Sequence, residues 1–157
     1  MKIHRHLPAL FLLSAAFLAA CSTASVNPAA TSLTGTSWQL VAIQSMDDAQ
    51  GTTRVADANR FTLHFGTDGR ASLRLDCNRG TGSYEAKPAT DGSGALRFGP
   101  IAATRALCPP PHLDERVARD LGHVRSYLFK DGRLFMSLMA DGGIYEWHPA
   151  PTPEQTR

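Results

Sequence analysis

A chain of 157 residues, 43% hydrophobic and 19% charged, suits one folded domain rather than two. Its formal net charge is only +2, and no basic stripe with interleaved aromatic residues runs along it, which argues against a nucleic-acid partner. Two of its 16 basic residues, Lys2 and Arg5, lie in an N-terminal segment that reads as removable, and without them 14 basic residues face 14 acidic ones.

The first segment carries Lys2, His4, Arg5 and His6, then an apolar run from Leu7 to Leu18, and closes in Leu18-Ala19-Ala20-Cys21. A charged start, a short apolar run and small residues before a cut describe an export signal. The run contains Pro8 and Ser14 and falls well short of the roughly 20 apolar residues that a membrane-spanning helix needs. Leu-Ala-Ala-Cys resembles the lipobox of bacterial lipoproteins. That resemblance implies cleavage before Cys21 and a diacylglycerol on its thiol, with fatty acyl chains of the palmitate kind that together hold the protein on a membrane. The competing reading leaves Cys21 unmodified within an ordinary secretory signal. Ser22, where an aspartate would favour retention, implies by the same resemblance the outer membrane, facing the periplasm. Residues 22–32 are small and polar without an apolar period and read as a flexible tether. The expected organisation is a signal peptide over 1–20, a lipidated tether over 21–32, a folded domain over 33–148 and a proline-rich disordered tail over 149–157.

Within the folded part, short alternating runs separated by turn residues predict strands. Trp38 to Ile43 is the first, followed by an unassigned polar connection from Gln44 to Asn59. Phe61 to Phe65 alternates apolar with polar, and Thr67-Asp68-Gly69-Arg70 turns the chain into Ala71 to Leu75; Asp-Gly between alternating runs is a strong hairpin signal. Asn78, Gly80 and Gly82 read as a tight turn that tolerates positive φ. Leu96 to Phe98, with Ile101, predicts a further short strand after a glycine-rich turn at 91–94. After Pro109-Pro110-Pro111, the spacing of Leu113, Val117 and Leu121 predicts a helix, with Asp114 and Glu115 in its first turn and Gly122 as a left-handed stop. Tyr127 to Phe129 and Leu134 to Leu138, joined through Asp131-Gly132, predict a last hairpin, with Ile144 to Trp147 beyond it. Phe65 to Glu85 and Phe129 to Glu146 echo each other in turn chemistry, as two similar hairpin units of one curved sheet or barrel would. The expected fold class is mainly β (α+β): a small curved antiparallel sheet or β-barrel-like meander with one helix packed against it.

With Cys21 taken by lipid, Cys77 and Cys108 remain as an even pair in a compartment where disulfides persist, and a bridge between them is the simplest expectation. Two buried thiols that never meet are the alternative. No catalytic constellation emerges. His64, His112, His123 and His148 are scattered without zinc-like spacing, and Asp47-Asp48 and Asp114-Glu115 read as solvated neighbours. No glycine-rich phosphate loop follows a strand and opens a helix with a lysine; Gly80-Thr81-Gly82 stands in a turn context instead. The reading is of a non-catalytic protein, with no catalytic, metal or cofactor site.

Gly35-Thr36-Ser37-Trp38-Gln39-Leu40, Asp76-Cys77-Asn78-Arg79-Gly80-Thr81-Gly82-Ser83-Tyr84 and Thr104-Arg105-Ala106-Leu107-Cys108 together resemble the META, or HslJ-like, domain family. The resemblance extends over about residues 33–147. It implies a small barrel-like sheet with a packed helix, and envelope lipoproteins associated with heat shock, stress response or antibiotic tolerance; it supplies no catalytic residues. A ligand-binding loop formed by Asn78, Arg79, Gly80, Gly82 and Tyr84 is one role for the central motif, a purely structural turn the other. The leading expectation for function is an envelope protein, lipid-anchored at Cys21, that contacts another envelope component. The alternatives are a carrier of a small apolar ligand, with Phe61, Phe65, Leu73, Phe98, Tyr127, Phe135 and Met139 lining a cavity or forming the ordinary core, and an inhibitor of an envelope protease working through residues 105–111.

Overall fold

The computed structural model describes residues 32–151, so the export signal, Cys21, the tether up to residue 31 and residues 152–157 of the tail lie outside the described residues. The strands are β1 (Ser37–Gln44), β2 (Thr52–Arg54), β3 (Phe61–Phe65), β4 (Arg70–Leu75), β5 (Asn78–Pro88), β6 (Ser93–Phe98), β7 (Ala102–Ala103), β8 (Val124–Lys130), β9 (Arg133–Leu138) and β10 (Ile144–Pro149). The helix α1 (Leu113–Leu121) separates β7 from β8, and a 3-10 turn at Ala58–Arg60 precedes β3. Eight strands in the order β1-β3-β4-β5-β6-β8-β9-β10 close into an antiparallel barrel, because β10 pairs back onto β1 from Trp38↔Pro149 to Gln44↔Ile144. The mainly β domain with a packed helix is therefore a closed barrel. The folded part runs to Pro149, one residue beyond the expected boundary at 148.

Period-two alternation explains which side chains turn inward. Phe61, Leu63 and Phe65 of β3 and Ala71, Leu73 and Leu75 of β4 are buried, while the residues between them are half-buried or exposed. An eight-stranded barrel is just wide enough for side chains to fill. Trp147, Tyr127, Tyr145, Phe65 and Leu40 are among the largest of those that fill this one. Trp38 joins them as expected, its indole N–H donating to Thr36 Oγ1 at 2.7 Å. On α1, Leu113, Val117 and Leu121 form a buried face that joins the same core. Of the seven residues considered for a ligand cavity, Phe61, Phe65, Leu73, Phe98 and Tyr127 are core, while Phe135 is half-buried under the Arg133 guanidinium and Met139 is exposed.

The hairpins follow their turn chemistry. Asp131 and Gly132 both take positive φ, 52° and 72°, the primed geometry that joins β8 to β9 with the right twist. The two echoing segments become β3-β4-β5 and β8-β9-β10, two meanders of one barrel. Within the unassigned connection, β2 adds to the Ala42–Gln44 end of β1, beyond the Ser37–Gln39 stretch that pairs with β3.

Three local expectations are corrected. Residues 78–84 are not a turn but the first part of β5, and the turn before it is Asp76-Cys77, with Leu75 paired to Asn78. The left-handed φ of 60° falls on Asp76, whose buried carboxylate pairs with Arg60 and whose N–H donates to Arg60 O at 2.6 Å. Gly80 and Gly82 are there for space: a Cβ on Gly82 would lie 2.7 Å from Ile101 Cδ1, and one on Gly80 would lie 3.2 Å from Ile101 Cγ2. Finally, Gly122 caps α1 in the right-handed region at φ −63°, and the left-handed residue is His112 at its start, φ 56°.

Tyr145, which is 1% exposed, donates its phenol to Asp120 Oδ2 at 2.6 Å and so ties β10 to α1. Burial, then the bond to Asp120 and its charge, push this phenol well above the ordinary tyrosine range. The neutral form is favoured in the folded state, so the contribution is present below the unfolded value near pH 10 and is lost as pH rises beyond it. Tyr145→Phe should cost roughly 1.5–3 kcal/mol at pH 7, the worth of a buried hydrogen bond to a charged group. Urea midpoints of the two proteins should keep their gap up to about pH 10 and draw together as the pH rises to about 11; a gap still unchanged there would refute the assignment.

Candidate functional site

The motif residues meet at one place. A two-residue turn brings Cys77 to the surface and aims Asn78 inward, and a strap, residues 101–108, runs back over the start of β5 before α1 begins. Its first part, β7, pairs with Gly80 and Thr81 along the edge that β6 leaves free. The strap is tied at its end by a Cys77–Cys108 disulfide with Cα atoms 5.5 Å apart, the bridge expected from the sequence.

Asn78 is the hub. Its side-chain oxygen accepts from Ala106 N–H at 2.8 Å and from the Thr104 hydroxyl at 2.8 Å. Its amide donates to Ala106 O at 2.9 Å and to Asp114 Oδ2 at 2.9 Å. Thr104 also accepts the Arg79 N–H, while its own N–H donates to Arg79 O. A single 3%-exposed side chain thus holds a strap, a strand and the first turn of α1 together, with every polar atom used.

Sequence neighbours of like charge on a helix, Asp114 and Glu115 carry the expectation of solvated side chains. The structure corrects this: Asp114 is 7% exposed, and its carboxylate is the acceptor for Asn78. No local signal distinguishes it from Glu115, because the distinction comes from which face of α1 meets β5. Between strap and helix lies a cleft of about 540 Å³, lined by Leu75, Asn78, the strap, Asp114, Glu115, Ala118 and Arg119. It is shallow and mixed in polarity, and none of the seven cavity candidates lines it.

The proposed binding loop does not exist as a loop. Arg79, Gly80 and Gly82 lie along β5, and Tyr84 sits further up the strand, its ring edge-on to Phe65 at 4.8 Å and its hydroxyl donating to Gly66 O at 2.8 Å. Asn78, Arg79 and Gly80 border the strap, whereas Tyr84 contacts the segments that flank β1 and β3, at Thr34 and Gly66.

The strap contains the residue that sequence reading undervalued. Leu107 is 92% exposed, the highest value among the exposed large apolar side chains, although both its neighbours are fixed, Ala106 by Asn78 and Cys108 by the cystine. Among the described residues no group of three His, Cys, Asp or Glu could hold a metal ion. His64 hydrogen-bonds Ser37 Oγ at 2.9 Å on the outside of the barrel, and His148 contacts Glu146 at 3.2 Å.

The META domain profile matches residues 31–147. Among solved structures, the chain is similar to a protein from Burkholderia xenovorans determined by NMR, at 26% identity and a TM-score of 0.60, covering 96% of this chain and 100% of that one. A crystal structure of a duf4847 family protein from Bacteroides vulgatus ATCC 8482 is matched at 11% identity and a TM-score of 0.49, over 75% of this chain and 94% of that one. No curated protein matches. With a profile that spans almost the whole barrel and motif residues gathered around one cystine, the chain belongs to the META domain family.

Proposed function

We propose that this protein is a non-catalytic lipoprotein of the bacterial envelope, anchored through Cys21 and engaged in envelope stress or antibiotic tolerance by binding another envelope component through the strap. The observation that carries the reading is the strap itself: a cystine and an asparagine tie it down on either side of Leu107, yet it turns that apolar side chain to solvent. A cystine belongs in an oxidising compartment, in keeping with the lipobox-like Leu18-Ala19-Ala20-Cys21. The packed barrel interior favours a surface-binding role over carriage of a ligand inside.

Fractionation of the native host tests the anchor. The wild-type chain should sediment with the outer membrane and carry fatty acids on a Cys21 N-terminus, and Cys21→Ala should appear as a soluble periplasmic or unprocessed species. Recovery of wild type in the cytosol, with Met1 retained and no fatty acid attached, would overturn the reading.

A further inference from the structure

We propose that residues 105–109 form a substrate-like loop that seats in the active-site cleft of an extracytoplasmic serine endopeptidase with an apolar primary pocket, Leu107 filling that pocket. This deepens the binding role given to the strap and rests on it, though not on the lipid anchor. A lone exposed leucine signifies little, since single apolar residues are common on protein surfaces. Leu107 differs in how its backbone is presented.

Alternate residues of the strap face the barrel. Thr104 N–H donates to Arg79 O at 2.9 Å, and Ala106 gives both its N–H and its C=O to the Asn78 side chain. In an extended chain the residues between must then point their backbone groups the other way. Arg105 and Leu107 do so: among the described residues neither makes a backbone hydrogen bond. The strap therefore offers one free edge of N–H and C=O groups with an apolar side chain at its apex. That is what an endopeptidase cleft reads in a substrate, where short antiparallel pairing fixes the backbone and a pocket takes one side chain. Pro109 has no N–H, so the pairing falls on Arg105 and Leu107.

Rigidity separates a blocking loop from a substrate. A flexible peptide loses conformational freedom when it docks, whereas a loop already held in the bound shape does not, and the difference appears as affinity. Here Ala106 is clamped just before Leu107, and the Cys77–Cys108 cystine clamps the residue just after it. Should a peptidase hydrolyse the Leu107–Cys108 bond, one water is consumed and a Leu107 carboxylate and a Cys108 amine are formed. Both new ends stay tied to the barrel, so condensation with expulsion of that water is an intramolecular reverse step.

The full chain, purified in detergent with its cystine intact, is to be titrated against subtilisin and α-chymotrypsin, which prefer apolar side chains, and against trypsin, which prefers basic ones, with chromogenic peptides as reporters. The expected result is saturable inhibition of one or both apolar-selective enzymes by a chain that stays largely uncleaved. Leu107→Asp should weaken it by about 30-fold or more, as loss of a central anchor does. Leu107→Arg should transfer inhibition to trypsin. Because the side chain is 92% exposed, these variants should melt like the wild type, which circular dichroism checks. Absence of inhibition by the wild type, rapid cleavage after Leu107 without inhibition, or inhibition that Leu107→Asp leaves unchanged would each overturn the proposal. The assay is independent of membrane fractionation, so failure here leaves the anchor standing, and failure of the anchor leaves this result intact.

Discussion

Replacement of Asn78 by alanine should cost roughly 3–5 kcal/mol of folding stability, measured as a lower urea midpoint at unchanged slope. The side chain removed makes four good hydrogen bonds, two to Ala106, one to Thr104 and one to Asp114, in a place almost closed to water. A net bond is worth only about 1 kcal/mol, because water would have served in its place, but a buried group left unsatisfied costs about 1–3 kcal/mol. The carboxylate of Asp114 is the most expensive orphan. Asn78→Asp makes a sharper test, since it keeps the acceptor for Ala106 and Thr104 and swaps the amide donor for a second carboxylate facing Asp114. Two carboxylates this close cannot both ionise cheaply, so one of them takes up a proton more readily in the folded state than in the unfolded one. The penalty of Asn78→Asp should accordingly be largest at neutral pH and shrink as pH falls toward the carboxylate range. If Asn78→Ala loses less than about 1 kcal/mol, the hub described above is not one.

Loss of the cystine should be nearly as costly. The loop it closes separates Cys77 from Cys108 by 31 residues, and closure of such a loop restricts the unfolded chain by about 3–4 kcal/mol in the chain-entropy treatment. Against a total stability of about 5–15 kcal/mol for an ordinary domain, the Cys77→Ser, Cys108→Ser double variant should remain folded but melt well below the wild type. The Cys77 end is exposed, so reducing agent should reproduce the effect without unfolding the protein first. Because Asn78 and the cystine secure the same strap, their losses should not add. Combined in one chain, they should cost less than the sum of the separate effects, and strict additivity would show that the two ties act independently.

How much of this was legible in the sequence depended on whether a residue's reason for being there was local. Phe61 to Leu75 alternates around Asp68-Gly69, so both strands and their turn could be read within a few residues of error. The helix was equally plain, because Leu113, Val117 and Leu121 repeat at the helical period after three prolines. Asn78, Gly80 and Gly82 misled because the same residue types serve turns and close approaches. Their actual reasons, the strap that Asn78 hydrogen-bonds and the Ile101 side chain that the glycines admit, lie some twenty or more residues away. Asp114 was misread for the same cause, since its partner is on another element. Cys77, Asn78, Thr104 and Cys108 belong together because the strap closes over the start of β5, a contact that family resemblance groups but no local signal explains. The long tail of β5 from Tyr84 to Pro88 carries only weak alternation and gives no clear strand signal.

The seam between β1 and β10 sets a deadline on folding. The first strand hydrogen-bonds the last one, with Trp38 opposite Pro149, so a chain leaving a ribosome or a translocation pore amino end first holds β1 without this neighbour until nearly its whole length has emerged. Such distant pairings form slowly, and an unzipped sheet displays two bare borders on which another chain can nucleate aggregation. A holdase would be needed most just before residue 144 appears, and a chain truncated there should accumulate as an unsealed, sticky ribbon. The same proximity of first and last strands makes the seam a natural place to join the old ends and cut new ones elsewhere.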